Sequence, residues 1–413
     1  MTICISKPIM SLLIKIFHFR SNPSTFNPAK LDVKNWIKSI KDLGAKHAII
    51  TVKHGCGFLL WPTDVRLPNG WPYGYDVAHT MSRRNVLKEF VDAMKEEGLG
   101  YGFYYSLSNN FYLNVYHHSA HASGNVLPGQ HNVSISEFES ISLSHLKELW
   151  SDYGNLTEIW FDGGYTMNMK SEIQKLVNKY QPNAAIFNGY GVSKSPLCWV
   201  GTESGKPKSE GLWSTGRHAG TGDKYGPIFC PKICDTTLQI QDKWFYTPDL
   251  PIRSLKSLID VYHETVGKNG VLELDFAIDR DGLVNSDHAK RYEELGTWIK
   301  HCYSDPVSTA IGIPGQNNLI LRIPRDVSID RLMLQEDMTN GQTIRSFEVY
   351  ELSNGSRRWN KICESASGIG NKRIILLKSP INPSKLKLVI SKAAISRFGS
   401  LKFMVFDEKK CEL

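Results

Sequence analysis

A (β/α)8-like TIM barrel with a C-terminal β-sandwich is the fold class this sequence predicts, on three observations. From about residue 30 to residue 303, helix-type and strand-type apolar periods alternate. After Pro306 only short alternating runs remain, the mark of an antiparallel sandwich of about a hundred residues. Midway, the apolar run Leu156–Phe161 ends in Trp160-Phe161-Asp162-Gly163, which sets a carboxylate where a buried strand meets solvent. Working residues of such barrels sit at the C-terminal ends of strands, because the βα loops converge there. Asp162 occupies such an end, although an N-cap or turn aspartate before Gly163-Gly164 would look the same.

The elements follow in order. A helix over 31–43 leads to a strand over 45–52, and a helix over 85–97 to a strand over 100–106. A helical stretch over 135–153, apolar at Leu143, Leu146, Leu149 and Trp150, precedes the Asp162 strand, and a helix over 169–180 follows it. Short apolar runs at 184–188, 197–202 and 228–234 read as strands, then a helix over 254–266, a strand over 271–277 and a helix over 287–301. That makes seven strands, one short of a closed eight-stranded barrel. The candidate for the missing first strand is 10–19, where Leu13, Ile14, Ile16 and Phe17 have strand character, so the first strand is expected to be atypical. Sandwich strands are expected at 318–323, 331–334, 345–352, 372–377, 385–390 and 401–406, with turns at Asn340-Gly341 and Asn354-Gly355. The expected domains are an atypical N-terminal segment 1–28, a catalytic barrel 29–304 and a sandwich 305–413.

Composition excludes more than it identifies. The 413 residues are 41% hydrophobic and 22% charged, ordinary for a globular chain. The net charge of +8 is spread out, with no basic run interleaved with aromatics, which argues against nucleic acid. No run approaches the ~18 apolar residues of a membrane span. Residues 9–19 are apolar enough for a short signal core, but Lys15 interrupts it and no small-residue cleavage site follows. Eight cysteines are too few for a disulfide scaffold and permit one or two bridges in an oxidising compartment. Cys230 and Cys234 lack the paired spacing of a zinc site, and His117, His118 and His121 read as an exposed cluster rather than ligands. Sequons at Asn132, Asn155 and Asn354 allow N-glycosylation on a secretory route.

Several stretches belong together: Lys53-His54-Gly55-Cys56-Gly57-Phe58 ending in Leu60-Trp61-Pro62; Tyr104-Tyr105-Ser106; Trp160-Phe161-Asp162-Gly163; Trp199-Val200-Gly201-Thr202-Glu203-Ser204-Gly205; Cys234-Asp235 before Trp244-Phe245-Tyr246; and Asp279-Arg280-Asp281-Gly282. In this order and spacing they resemble the α-L-fucosidases of glycoside hydrolase family 29, the plant α-1,3/1,4-type members most closely, from residue 24 to the C-terminus. The resemblance implies a retaining exo-glycosidase that removes terminal fucose from glycans or oligosaccharides, with fucosylated oligosaccharide or N-glycan as partner and no metal or other cofactor. It implies Asp162 as nucleophile and Glu203 as acid/base; a solvated loop carboxylate is the other reading of Glu203. His54 would bond fucose hydroxyls, or else be a core histidine beside Val52. Tyr105 would face the nucleophile, Trp160 and Trp199 would wall the site, and Trp61 and Trp244 match aromatic positions around the pocket.

Two departures stand out. Where the family has Lys-His-His-Asp-Gly-Phe, this chain has Gly55 and Cys56 in place of the second histidine and the aspartate, so one sugar contact is lost or moved. The family's loop of about fifteen residues between its first strand and Asn-Pro-x-x-Phe-Asn-Pro is absent before Asn22-Pro23. The first departure favours a shifted specificity; because the first barrel strand and loop are missing from the pattern, an inactive or impaired sugar-binding relative is the second expectation. The implied location is secreted, in the apoplast, or vacuolar.

Overall fold

The computed structural model describes residues 2–6, 25–120, 126–207, 214–215, 228–339, 341–365 and 368–411. Eight parallel strands close a barrel: β1 (Thr2–Ser6), β2 (His47–Lys53), β3 (Gly100–Ser106), β6 (Glu158–Asp162), β7 (Ala185–Phe187), β8 (Pro196–Trp199), β11 (Lys232–Thr236) and β12 (Val271–Ala277). Their order around the ring is β1-β12-β11-β8-β7-β6-β3-β2. The helices are α1 (Val33–Asp42), α2 (Val86–Glu96), α3 (Ile135–Asp152), α4 (Lys170–Tyr180), α5 (Leu255–Thr265) and α6 (Ser286–Tyr303). A small hairpin, β4 (Val115–Tyr116) with β5 (Ser119–Ala120), and a two-stranded antiparallel pair, β9 (Ser214–Thr215) with β10 (Ile228–Phe229), interrupt the repeat.

The first strand is not where the apolar pattern put it. Thr2–Ser6 fills the ring position, Thr2 opposite both Glu273 of β12 and His47 of β2, and the 10–19 segment lies outside the described residues. The closed ring leaves no open edge at this point.

Local chemistry accounts for the helices. Asp32 caps α1 through the Lys34 and Asn35 amides, and Val33, Trp36, Ile37 and Ile40 bury one face of it. Asn85 caps α2 and Ser254 caps α5. Ser134 and Glu137 form a reciprocal capping box at the start of α3. The β3 and β12 spans match the sequence pattern residue for residue. The run expected at 228–234 splits instead, because Pro231 has no amide hydrogen to continue a ladder: Ile228–Phe229 pairs with Ser214–Thr215, and Lys232–Thr236 enters the ring.

The chain divides into two compact units. The first comprises Met1–Leu197, Thr236–Arg253 and Glu273–Tyr292; the second comprises Cys198–Asp235, Ser254–Leu272 and Glu293–Leu413. Within the second lie two four-stranded antiparallel sheets. One has the order β13 (Ser308–Gly312), β20 (Leu401–Asp407), β15 (Ile329–Glu336), β18 (Arg373–Ile381). The other has β14 (Asn318–Arg322), β19 (Pro383–Ala393), β16 (Ile344–Ser353), β17 (Asn360–Ser365). Leu332, Leu334, Phe403 and Val405 of one sheet and Phe347, Val349, Leu386 and Leu388 of the other share one apolar core. Strands β13 and β17 carry no apolar alternation strong enough to be read from sequence. Disulfides join Cys198 to Cys230 and Cys302 to Cys411, both inside the second unit.

Candidate active site

Strand parity decides which side chains face the barrel interior. Along β6, Ile159 and Phe161 are fully buried on the outer face, Phe161 beside Trp150 of α3, with ring centroids 6.1 Å apart. Glu158, Trp160 and Asp162 therefore share the opposite, inner face. On β3, Tyr104 lies opposite Trp160 and Ser106 opposite Asp162, so these two share that inner face. The Tyr104 hydroxyl donates to Asp162 Oδ2, and its ring stacks on Trp160 at 5.4 Å. His54, just past the end of β2, stacks on Tyr104 at 5.8 Å and meets the edge of Phe245 at 5.2 Å. Trp160 lies flat on Phe187, 3.6 Å between centroids, and its indole Nε1 donates to Glu273 Oε2 at 3.1 Å. His54, Tyr104, Trp160, Asp162 and Phe245 thus form one contiguous aromatic-walled group around a half-exposed carboxylate. Trp244, half-buried, is the residue before Phe245.

The floor below is polar. Glu158 bonds His47 Nε2 at 2.9 Å and shares a hydrogen bond with Glu273. Burial pushes the Glu158 carboxyl well up and drives His47 down to about 4.

Two expected site residues are elsewhere. Tyr105 does not face Asp162: it points outward, 1% exposed, its hydroxyl 2.9 Å from His145 Nδ1 of α3 and the Lys53 ammonium 4.9 Å over its ring. A period of two places neighbours on opposite faces, so the tyrosine beside Asp162 is Tyr104. Trp61 is a packing residue, 1% exposed, its Nε1 bonded to Glu148 Oε2 at 2.9 Å and its ring edge-on to His145. Which tyrosine shares the face of Asp162 is set by the β3–β6 register, which pairs Tyr104 with Trp160 and which no local sequence pattern reports. Nothing in the sequence marks Phe245 above its neighbours.

Lys53 explains the start of the Lys-His motif. Fully buried, it donates to the carbonyls of Ser106 and Asn109 and ties the end of β2 to the loop after β3. Gly55 lies where a β-carbon would come within 3.3 Å of Asn109 Cβ, so this loop leaves little room for the second histidine of the motif. Gly163 takes φ +73°, and a β-carbon there would meet Ser108 Oγ at 2.3 Å, so the turn after Asp162 requires glycine.

In the second unit, Glu203 is exposed on the loop that leaves β8, between Gly201 and Gly205, both at positive φ. The Gly205 amide donates to the Asp235 carbonyl at 3.0 Å, and Trp199 Nε1 to Asp235 Oδ1 at 2.8 Å. The Cys198–Cys230 bridge closes the chain around this loop. No group of three metal-ligating side chains occurs among the described residues; His121 lies outside them.

A parallel barrel presenting a carboxylate at a strand's C-terminal end, inside an aromatic wall, is the construction of a sugar-cleaving barrel hydrolase. Comparison with known proteins narrows the class: a sequence model of the α-L-fucosidase family matches residues 13–302, and the chain belongs to that family of glycoside hydrolases. Alpha-L-fucosidase 1 of Arabidopsis thaliana is 26% identical over 91% of this chain and 78% of its own length. Plasma alpha-L-fucosidase of Homo sapiens is 23% identical over 69% of this chain and 56% of its own. A Bacteroides thetaiotaomicron structure ascribed to an alpha-L-fucosidase superposes with a TM-score of 0.83 at 26% identity, covering 98% of this chain and 95% of that one. A Ruminococcus gnavus GH29 fucosidase solved with fucose shares the fold, with a TM-score of 0.79 at 18% identity over 100% and 93% of the two chains.

Proposed function

We propose that this protein is a retaining exo-α-L-fucosidase that removes terminal α-1,3- or α-1,4-linked fucose from glycans or oligosaccharides. The observation that carries the reading is Asp162 at the end of β6, bonded by the Tyr104 hydroxyl and bordered by Trp160 and His54. In the first step an Asp162 oxygen attacks the anomeric carbon as the glycosidic C–O bond breaks, and Glu203 gives its proton to the leaving oxygen. In the second, Glu203 takes a proton from water, which displaces Asp162 and releases fucose with its configuration retained. Such chemistry calls for the two carboxyls roughly 5–5.5 Å apart. Tyr104 orients Asp162 through its hydroxyl, and His54 is placed to bond sugar hydroxyls, with Trp244 beside Phe245 at the rim. The apolar C5 methyl of fucose suits the Trp160, Tyr104 and Phe245 walls.

The barrel in this reading is 29–304 together with the strand Thr2–Ser6 that closes its ring, and the sandwich is 305–413. A secreted or vacuolar location is supported by the Cys198–Cys230 and Cys302–Cys411 bridges and by three exposed sequons.

Asp162→Asn tests the role directly. It is expected to lower kcat on an aryl fucoside by roughly 10⁴-fold or more. A fluorinated fucoside that traps the intermediate is expected to label the peptide containing Asp162; labelling of another residue, or full activity in the variant, defeats the assignment. Product analysis on defined trisaccharides decides the linkage.

A further inference from the structure

We propose that the β4–β5 hairpin is a docking platform for the sugar to which fucose is attached, with the exposed rings of Tyr116 and His117 as its stacking surface. The proposal rests on the reading of Asp162 as the nucleophile. Strands β4 and β5 pair with Tyr116 opposite Ser119, which leaves only His117 and His118 as the loop. Both histidines are left-handed, at φ 48° and 59°. Two-residue turns of this kind strongly prefer Asn-Gly, because a β-carbon strains each left-handed position, a strain glycine lacks and asparagine offsets by local hydrogen bonding. Strain of this kind persists where the surroundings over-determine it, and it gathers at ligand clamps.

The surroundings here do so. The His117 amide donates to Asn109 Oδ1 at 2.9 Å and the His118 amide to the Ser108 carbonyl at 2.9 Å. His118 Nε2 lies 3.2 Å from the carbonyl oxygen of Gly163, the residue after Asp162. The same loop is gripped from beneath by Lys53. The hairpin is therefore fastened to the turn that carries the nucleophile, on the face of the barrel where the strands end.

Its outer surface is aromatic and open. The Tyr116 and His117 rings meet at 64° with centroids 4.1 Å apart, and Tyr116 is 58% exposed. A pyranose offers an apolar C–H face ringed by hydroxyls, which matches an aromatic corner carrying a phenol and an imidazole. With fucose seated against Trp160 and Tyr104, the next sugar leaves the pocket beside Gly163, within reach of this corner.

The test compares a fucosylated trisaccharide with an aryl fucoside, for the unmodified protein, Tyr116→Ala and His117→Asn. Asparagine tolerates the left-handed turn, so the second variant keeps the fold. On the trisaccharide, kcat/KM is expected to fall about tenfold in each variant, mainly through KM, while the aryl fucoside stays within about twofold. Equal losses on both substrates, or no loss on either, overturn the platform. An unmodified chain that turns over neither substrate defeats the Asp162 reading instead, and calorimetry then judges the hairpin. The trisaccharide must bind more tightly than free fucose and lose that margin in Tyr116→Ala; any other result overturns it.

Discussion

Adjacent tyrosines on β3 separate chemistry from stability. Tyr104 touches Asp162 and Tyr105 touches His145, on opposite faces of one strand. Tyr104→Phe removes the hydrogen bond to the half-exposed Asp162 carboxyl, a donor that water can replace in stability terms, and on the proposed mechanism it is expected to lower kcat roughly 10- to 100-fold with thermal stability nearly unchanged. Tyr105→Phe is expected to cost about 1 kcal/mol of stability and leave kcat intact. Steady-state kinetics and chemical denaturation of the two variants check both. His145 adds a pH dependence: burial, with Lys53 close by, lowers it to about 3 from an ordinary 6.5. Its folded form stays neutral where the unfolded chain takes up a proton, so the stability it contributes is complete above pH 6.5 and drains away as pH falls toward 3. Melting curves between pH 7 and 4 should therefore fall less steeply in His145→Gln. At this scale Asp162 is readable from the end of an apolar run, whereas the aromatic residues are not. Trp61, Tyr105 and Trp160 look alike in sequence; the face of the sheet separates Trp160 from Tyr105, and Trp61 lies off the barrel strands, packed on Glu148 and His145.

Elements differ in how much of their reason is local. Helices α1, α2, α3 and α5 carry caps and apolar stripes, and β3 and β12 carry hydrophobic runs, so all six are legible. Strand β1 is not: Thr2–Ser6 is shorter and less apolar than the 10–19 run, and what selects it is pairing with β2 and β12, a long-range choice no local period reports. The histidine turn is legible only in structure, and it yields an element-scale prediction. His117→Asn relieves a left-handed penalty without touching the His118 contact to Gly163 and should stabilise the protein by about 0.5–1 kcal/mol, raising Tm. The Cys198–Cys230 bridge spans 32 residues that include Glu203. Replacing both cysteines by serine is expected to cost about 3–4 kcal/mol and to depress activity on every fucoside, read by denaturation and kinetics together.

For the whole molecule, alternation of helix and strand followed by uninterrupted short strands sufficed to identify a barrel and a sandwich, because each architecture imposes its own period on the chain. The partition into compact units does not follow the chain so simply: residues 198–235 and 254–272 group with the C-terminal strands. Removing Thr2–Ser6 should open the ring along β2 and β12, and the expected outcome is aggregated protein on gel filtration. Asn132, Asn155 and Asn354 are all exposed, so protein made in a secretory host should lose mass on treatment with an N-glycanase.

The two-faced β6 strand has an operational corollary. A slip of one position would turn Phe161 inward and bury Asp162 beneath a helix, yielding molecules wholly dead rather than slow. On the proposed retaining mechanism, burst titration with a trapping substrate, set against total protein, would accordingly count correctly threaded copies in any preparation.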